Sequence, residues 1–386
     1  MKLELSTKHI KLRIFLAVLF FVIAVTAFTV GVLNIGKKSA GYQSIEGNPD
    51  AEALLYNNAV GYKYFFDGTS NEIKREIRTL KTVYTPILSA FYKQLDHHNV
   101  YTGQVSIGTI NQNAGKEVSV SPELYAVLKD AYKRTLEKKG FNMFAGALYS
   151  EWDSILILEE PDDFDPLVNK SQADRLSAIA AEVSNLDNFT LEFLDDKKCT
   201  VRFSVSEKYS TFCREYEIDA FALNLNLLED AYRLSMMADA LVSAGYELGY
   251  LYTKEGLVLN TSPRGSLGYG MYTLENGNAV KYAELSINGV FSASAFTAFG
   301  YGSYYHYSID ADGKTRYRHR YFDVETGLMP EVLMSVCVLS SDMNLVENAY
   351  QSIILANLDS EADVEAYAKT LEAQGRVVSY VFQSVK

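Results

Sequence analysis

"HRYFDVETGLMP", residues 319–330, places a histidine, an aspartate, a Thr-Gly pair and a proline in one short stretch. A histidine there can act as general acid or base. Asp323 can hold a metal or orient a base, and Thr326-Gly327 can turn the backbone against a planar ligand. The same residues can also do no more than cap and turn the chain. The rest of the sequence has to decide between a working loop and an inherited one.

The chain has 386 residues, of which 48% are hydrophobic, enough for a sizeable core in one large domain or two ordinary ones. Its net charge is −12. The first 38 residues run the other way, with Lys2, Lys8, Lys11, Arg13, Lys37 and Lys38 against a single acid, Glu4. So acidic a body argues against nucleic acid as a partner, because phosphates dominate that affinity. Three cysteines, Cys199, Cys213 and Cys337, have no CxxC spacing and so suggest neither a zinc site nor a disulfide framework. They read as ordinary thiols, with one bridged pair left open, such as Cys199 with Cys213.

Ile14 to Leu33, "IFLAVLFFVIAVTAFTVGVL", carries no charge and has the length of a membrane-crossing helix. Four cations before it and two after it favour the N-terminus inside. No A-x-A-like cleavage site follows. The expectation is a cytoplasmic N-terminus (1–13), a transmembrane signal anchor (14–33), a linker (34–54) and one domain (55–386). The protein is then single-pass in the cell membrane, with its C-terminal domain extracytoplasmic.

Within that domain, residues 71–96 have helical apolar spacing, with Pro86 expected to kink or interrupt the helix. Ser121 and Pro122 open a second helix that stops at Gly140. Residues 189–205 read as a hairpin turning at Asp195–Lys198. A long helix ends at Gly245, alternating aromatic strands fill 265–322, and "SVCVLS" (335–340) is a buried strand. Two helices and a last strand close the chain. Strands and helices mix without a strict βαβ rhythm, so the fold class is α+β. Three other groupings read as structural. His97-His98 reads as a surface helix end, "EEPDDFDP" (159–166) as a solvated loop without calcium-ligand spacing, and "GSLGYG" (265–270) as a hairpin or loop.

At this point the chain resembles the ApbE-like flavin transferase family (FAD:protein FMN transferases). That family has a His-x-x-Asp-Pro-x-Thr-Gly pattern, which here reads His319, Asp323, Thr326 and Gly327, with one extra residue before the acid and Val324 for the proline. The resemblance runs from about residue 55 to 386. It takes in Gly61, Asn111, Val-Ser-Pro-Glu-Leu (120–124) and "FNMFAGALYSEW" ending at Trp152. It also takes in the segment beginning at Asp219, similar to the family's Asp-Leu-Gly-Gly-x-x-Lys-Gly.

The resemblance implies a membrane-anchored enzyme that uses Mg²⁺ to split FAD and passes FMN to a threonine of an exported protein. It implies proton handling by His319 and Asp323, and cofactor binding at Asp219, Thr326 and Gly327. Glu347 and Gln351 stand where the family has its metal-binding Asp and Thr. The sequence also departs from the pattern. Phe221-Ala222 replace Gly-Gly, Leu225 replaces the lysine, "YTKEGLV" replaces a Gly-Gly-Asp stretch, and "SASA" (292–295) replaces Thr-Ser-Gly. A second expectation follows from these departures. It is a catalytically degenerate homologue that binds a protein or another ligand outside the cytoplasm, with the tyrosines from Tyr301 to Tyr307 as one candidate surface.

Overall fold

The computed structural model describes residues 19–21, 23–25, 40–47, 60–275, 277–299 and 306–383. Most of the expected anchor (14–33) and residues 301–305 lie outside these. Among the described residues no helix is long and apolar enough to cross a membrane.

A seven-stranded sheet carries the fold. Its strands are β1 (Gly41–Ser44), β2 (Val60–Phe66), β6 (Gly249–Thr253), β7 (Val258–Asn260), β10 (Phe291–Thr297), β13 (Leu333–Ser340) and β14 (Val377–Phe382), in that spatial order. Every neighbouring pair is antiparallel. β1 falls inside the stretch expected to be linker. Gly41–Ser44 pair with Lys63–Phe66, and Ile45 behind them is buried.

One face of this sheet is covered by three helices, α1 (Ser70–Leu95), α7 (Glu229–Ser243) and α8 (Leu345–Ala356). The inward face of β10 and β13 is small and polar for a reason. Asn348 of α8 donates to Ser292 Oγ at 2.9 Å and to Ser340 Oγ at 2.7 Å, so a buried amide is satisfied where larger side chains would hold the helix off. Tyr62 of β2 stacks on Tyr84 of α1 with ring centroids 5.0 Å apart.

α1 runs unbroken through Pro86. Both Pro86 and Thr82 are exposed, so the Thr82 carbonyl that loses its helical partner faces water. The buried stripe Ile73, Leu80, Tyr84, Leu88, Tyr92 and Leu95 supplies the packing that holds the helix together.

The opposite face of β10 and β13 lies under a hairpin, β8 (Ser266–Glu275) and β9 (Asn278–Asn288). There Tyr269 and Met271 pack on Phe291, Ala293, Cys337 and Leu339. The chain turns at Gly289, where φ is +76°, between β9 and β10. A smaller sheet orders β3 (Glu117–Ser119), β5 (Thr200–Val205) and β4 (Phe189–Asp195). Phe144 stacks on Phe189 and Phe203 beneath it.

α3 (Pro122–Glu137) opens as the sequence indicates, with Ser121 Oγ accepting from Leu124 N. α2 (Ile107–Gln112), α4 (Gly146–Leu156), α5 (Lys170–Ser184), α6 (Glu207–Glu215) and α9 (Glu361–Ala373) complete the helices, and β11 (Tyr307–Ala311) with β12 (Lys314–Arg318) forms a second hairpin. All three cysteines are free thiols, so Cys199 and Cys213 are not bridged. Of the Asn-x-Ser/Thr sequons, Asn188 and Asn260 are buried, and Asn169 caps α5.

The acidic run 159–166 is not a solvated loop throughout. Asp165 is 0% exposed and accepts from Arg318 Nε and from the Tyr307 hydroxyl, each at 2.7 Å. The arginine ends β12 and is itself only 4% exposed. Burial of this acid is possible because a guanidinium and a hydroxyl meet it.

Candidate functional site

The stretch 319–330 follows β12 directly. His319 is 3% exposed, with its ring edge-on to Phe296 at 4.8 Å between centroids. Its Nδ1 accepts from the Tyr321 amide at 3.1 Å, which puts the remaining proton of the neutral ring on Nε2. Nε2 has no hydrogen-bond partner. Burial first, then the charge of Arg318, pushes the imidazole down to about 3, so the ring is neutral across the physiological range.

Asp323 spends its carboxylate on its own turn. Oδ1 accepts from Glu325 N at 2.9 Å, and Oδ2 accepts from Thr326 Oγ1 at 2.7 Å. The turn closes with Gly327 N donating to Asp323 O at 2.8 Å. Gly327 has φ +73°, and a Cβ there would sit 3.0 Å from Leu176 O. The Gly327 carbonyl in turn accepts from Trp152 Nε1 at 2.9 Å, which ties the turn to α4. Asp323, Thr326 and Gly327 are therefore brought together, while no hydrogen bond joins His319 to Asp323 among the described residues.

Glu347 and Gln351 share a face of α8, and Gln351 Nε2 donates to Glu347 Oε1 at 2.5 Å. Arg134 of α3 donates to the other oxygen, Oε2, at 2.9 Å. The same guanidinium bonds Asp130 at 2.8 Å and lies 4.7 Å over the Tyr350 ring. Burial raises the Glu347 carboxyl, but the Gln351 and Arg134 bonds outweigh it and hold the group below its ordinary value. Gln351 Oε1 is taken by the Tyr367 hydroxyl at 2.6 Å.

The segment that begins at Asp219 lies across the N-terminus of α4. Gly146 N donates to Ala222 O, and a Cβ on Gly146 would meet Phe221 O at 2.0 Å. Asn111 clamps the segment from the other side, its Nδ2 donating to Leu223 O at 2.8 Å. Asp219 itself is exposed, with no hydrogen bond among the described residues. Leu225, where the resemblance would place a lysine, is 0% exposed.

Solved structures share this architecture. The flavin transferase ApbE from Vibrio cholerae superposes with a TM-score of 0.56 at 14% identity, covering 90% of this chain and 95% of that one. An ApbE protein from Thermotoga maritima gives 0.56 at 13%, covering 84% and 91%. The Pseudomonas stutzeri flavinyl transferase ApbE gives 0.53 at 14%, covering 90% and 92%.

The chain has the ApbE-like fold.

No protein-family model and no curated protein matches the sequence. On this ApbE-like scaffold, the pair Glu347 and Gln351 does not suit Mg²⁺. A hard cation needs free oxygens, and here a guanidinium already neutralises the carboxylate while a tyrosine holds the amide oxygen. Among the described residues no group of three or more His, Cys, Asp or Glu is placed to hold a metal.

The sequence did not single out Arg134. Its only local signal is Asp130, four residues earlier on the same helix face. Beside it opens a groove of ≈ 820 Å³ between α1, α3, α7 and the start of α8, lined by Phe91, Val127, Arg134, Met236, Asp239 and Met343 among others. His97, expected at a surface helix end, follows the end of α1. It is only partly exposed, and burial, with the neighbouring His98, pushes it down to about 4.

Proposed function

We propose that this is a membrane-anchored protein with an ApbE-like fold that acts outside the cytoplasm by binding a partner protein or ligand, without transferring flavin. The Arg134–Glu347 bond carries the proposal, because it fills with fixed positive charge the place where the resemblance needs a metal. The burial of Leu225 supports it, since a phosphate-binding cation is replaced by core. His319 supports it as well, being neutral and packed against Phe296.

The second reading is the FAD:protein FMN transferase with Mg²⁺ and FAD. It is favoured by the Asp323–Thr326–Gly327 turn, which forms as that reading needs.

Purified full-length protein in detergent, mixed with FAD and Mg²⁺ and followed by flavin fluorescence and AMP release, separates the two. The binding reading expects no AMP above the protein-free control. Mg²⁺-dependent AMP release that disappears in Asp323→Ala or Glu347→Ala would establish the transferase instead.

A further inference from the structure

Among the described residues, the outer face of the seven-stranded sheet is covered at one end and bare at the other. Over β10 and β13 lies the β8–β9 hairpin. Over β1, β2 and β6 the register brings Tyr42, Lys63, Phe65, Tyr250 and Tyr252 to one face, and all five are partly exposed. They form one cluster. The Tyr42 ring meets Phe65 at 5.4 Å and Tyr250 at 5.2 Å, and Lys63 Nζ lies 5.8 Å over Tyr250 and 5.9 Å over Tyr252. Tyr252 lies flat across Gly61, where a Cβ would fall 2.2 Å from its ring, so the patch is smooth as well as aromatic.

We infer that this aromatic face of β1, β2 and β6 rests on the lipid headgroup layer and sets the orientation of the domain on the membrane. The inference relies on residues 14–33 being the anchor proposed above. Only residues 34–40 separate Leu33 from Gly41, a span of no more than roughly 30 Å even when extended. The edge strand that follows the anchor is thus the part of the domain held nearest the bilayer. Tyrosine suits that depth, with an apolar ring and a polar tip. Lys63 can reach headgroup phosphate from among the rings, and Lys37 and Lys38 add attraction to anionic lipid just before the strand. The opposite edge, β14, lies six strands away, roughly 30 Å at ordinary strand spacing, with Tyr380 and Phe382 turned toward the helix-side core, and serves as an internal control.

The test uses the full chain in phospholipid vesicles containing phosphatidylglycerol. One sample carries a photoactivatable diazirine in the acyl chain and another carries it at the headgroup, with labelled peptides mapped by mass spectrometry. Expected are acyl-chain labelling of 14–33 and a several-fold excess of headgroup labelling on 41–44, 60–66 and 249–253 over 377–382. Equal labelling of the two sheet edges, with 14–33 still labelled, overturns the docking face and leaves the anchor standing. Absence of acyl label from 14–33 overturns the anchor and the docking face with it. In Tyr42→Ser combined with Tyr250→Ser the excess should fall toward the β14 level, and an unchanged excess in that variant also counts against the face.

Discussion

Arg134 Nη1 donates to Glu347 Oε2 at 2.9 Å and joins α3 to α8 across 213 residues of sequence. Both side chains are largely withdrawn from water, so removing one partner leaves a poorly solvated charge behind.

Arg134→Met should therefore destabilise the protein by about 2–3 kcal/mol, because Glu347 keeps its charge and loses its cation. Glu347→Leu alone should cost less, because the guanidinium keeps its bond to Asp130 at 2.8 Å. The double variant should recover about 1–2 kcal/mol of the summed loss. Urea unfolding of the four proteins measures the coupling, and strict additivity would show that the pair does not interact.

His319 makes stability depend on pH. Its folded-state value is pushed to about 3, whereas the unfolded ring titrates at 6.5. Below 6.5 the unfolded chain takes up a proton that the folded protein refuses, so this stability is complete above 6.5 and is lost as pH falls toward 3. Between pH 7 and 5 the loss should be on the order of 2 kcal/mol. His97, also pushed down, contributes in the same direction. The difference between wild type and His319→Gln isolates the one ring. Parallel stability-versus-pH curves for the two proteins would mean that the ring is charged or hydrated in the fold.

The turn at 323–327 should respond as structure. Gly327→Ala forces a side chain into a left-handed backbone and toward Leu176 O, at a cost of about 2 kcal/mol. Asp323→Ala removes two acceptors of the turn and should cost about 1–2 kcal/mol, and Asp323→Asn, which keeps one carbonyl oxygen, less. Thermal unfolding ranks the three, and equal melting temperatures for Asp323→Ala and wild type would release the aspartate from this role.

Asp165→Ala should be the most damaging of these changes, at roughly 3–5 kcal/mol, because buried Arg318 would keep only the more distant Glu331, 4.0 Å away, against its charge. Pairing it with Arg318→Met should recover a large part of that loss. Circular dichroism during denaturation reads both.

Much of the architecture was legible in the sequence because its signals are local. Ser121-Pro122, the turn at 195–198 and the buried strand near Cys337 each announce themselves within a few residues. The close grouping of Asp323, Thr326 and Gly327 was legible for the same reason. What escaped was pairing at a distance. Nothing near Arg134 points to Glu347, and nothing in "EEPDDFDP" distinguishes Asp165, the residue that meets Arg318, from its solvated neighbours. Strand β1 was read as linker because four residues, Gly41–Ser44, are too few to show alternation, and their strand character comes from β2 beside them. Pro86 misled in the other direction, since its cost depends on whether the orphaned carbonyl can reach water.

The Asp165–Arg318 pair also bears on the order of assembly. Its partners lie 153 residues apart, so the contact closes a long loop and is expected to form late. A bond formed after the rate-limiting step barely slows folding when removed, and instead lets the native state come apart faster. Asp165→Ala is expected to raise the unfolding rate far more than it lowers the folding rate, and an equal fall in the folding rate would place the pair in the folding nucleus instead.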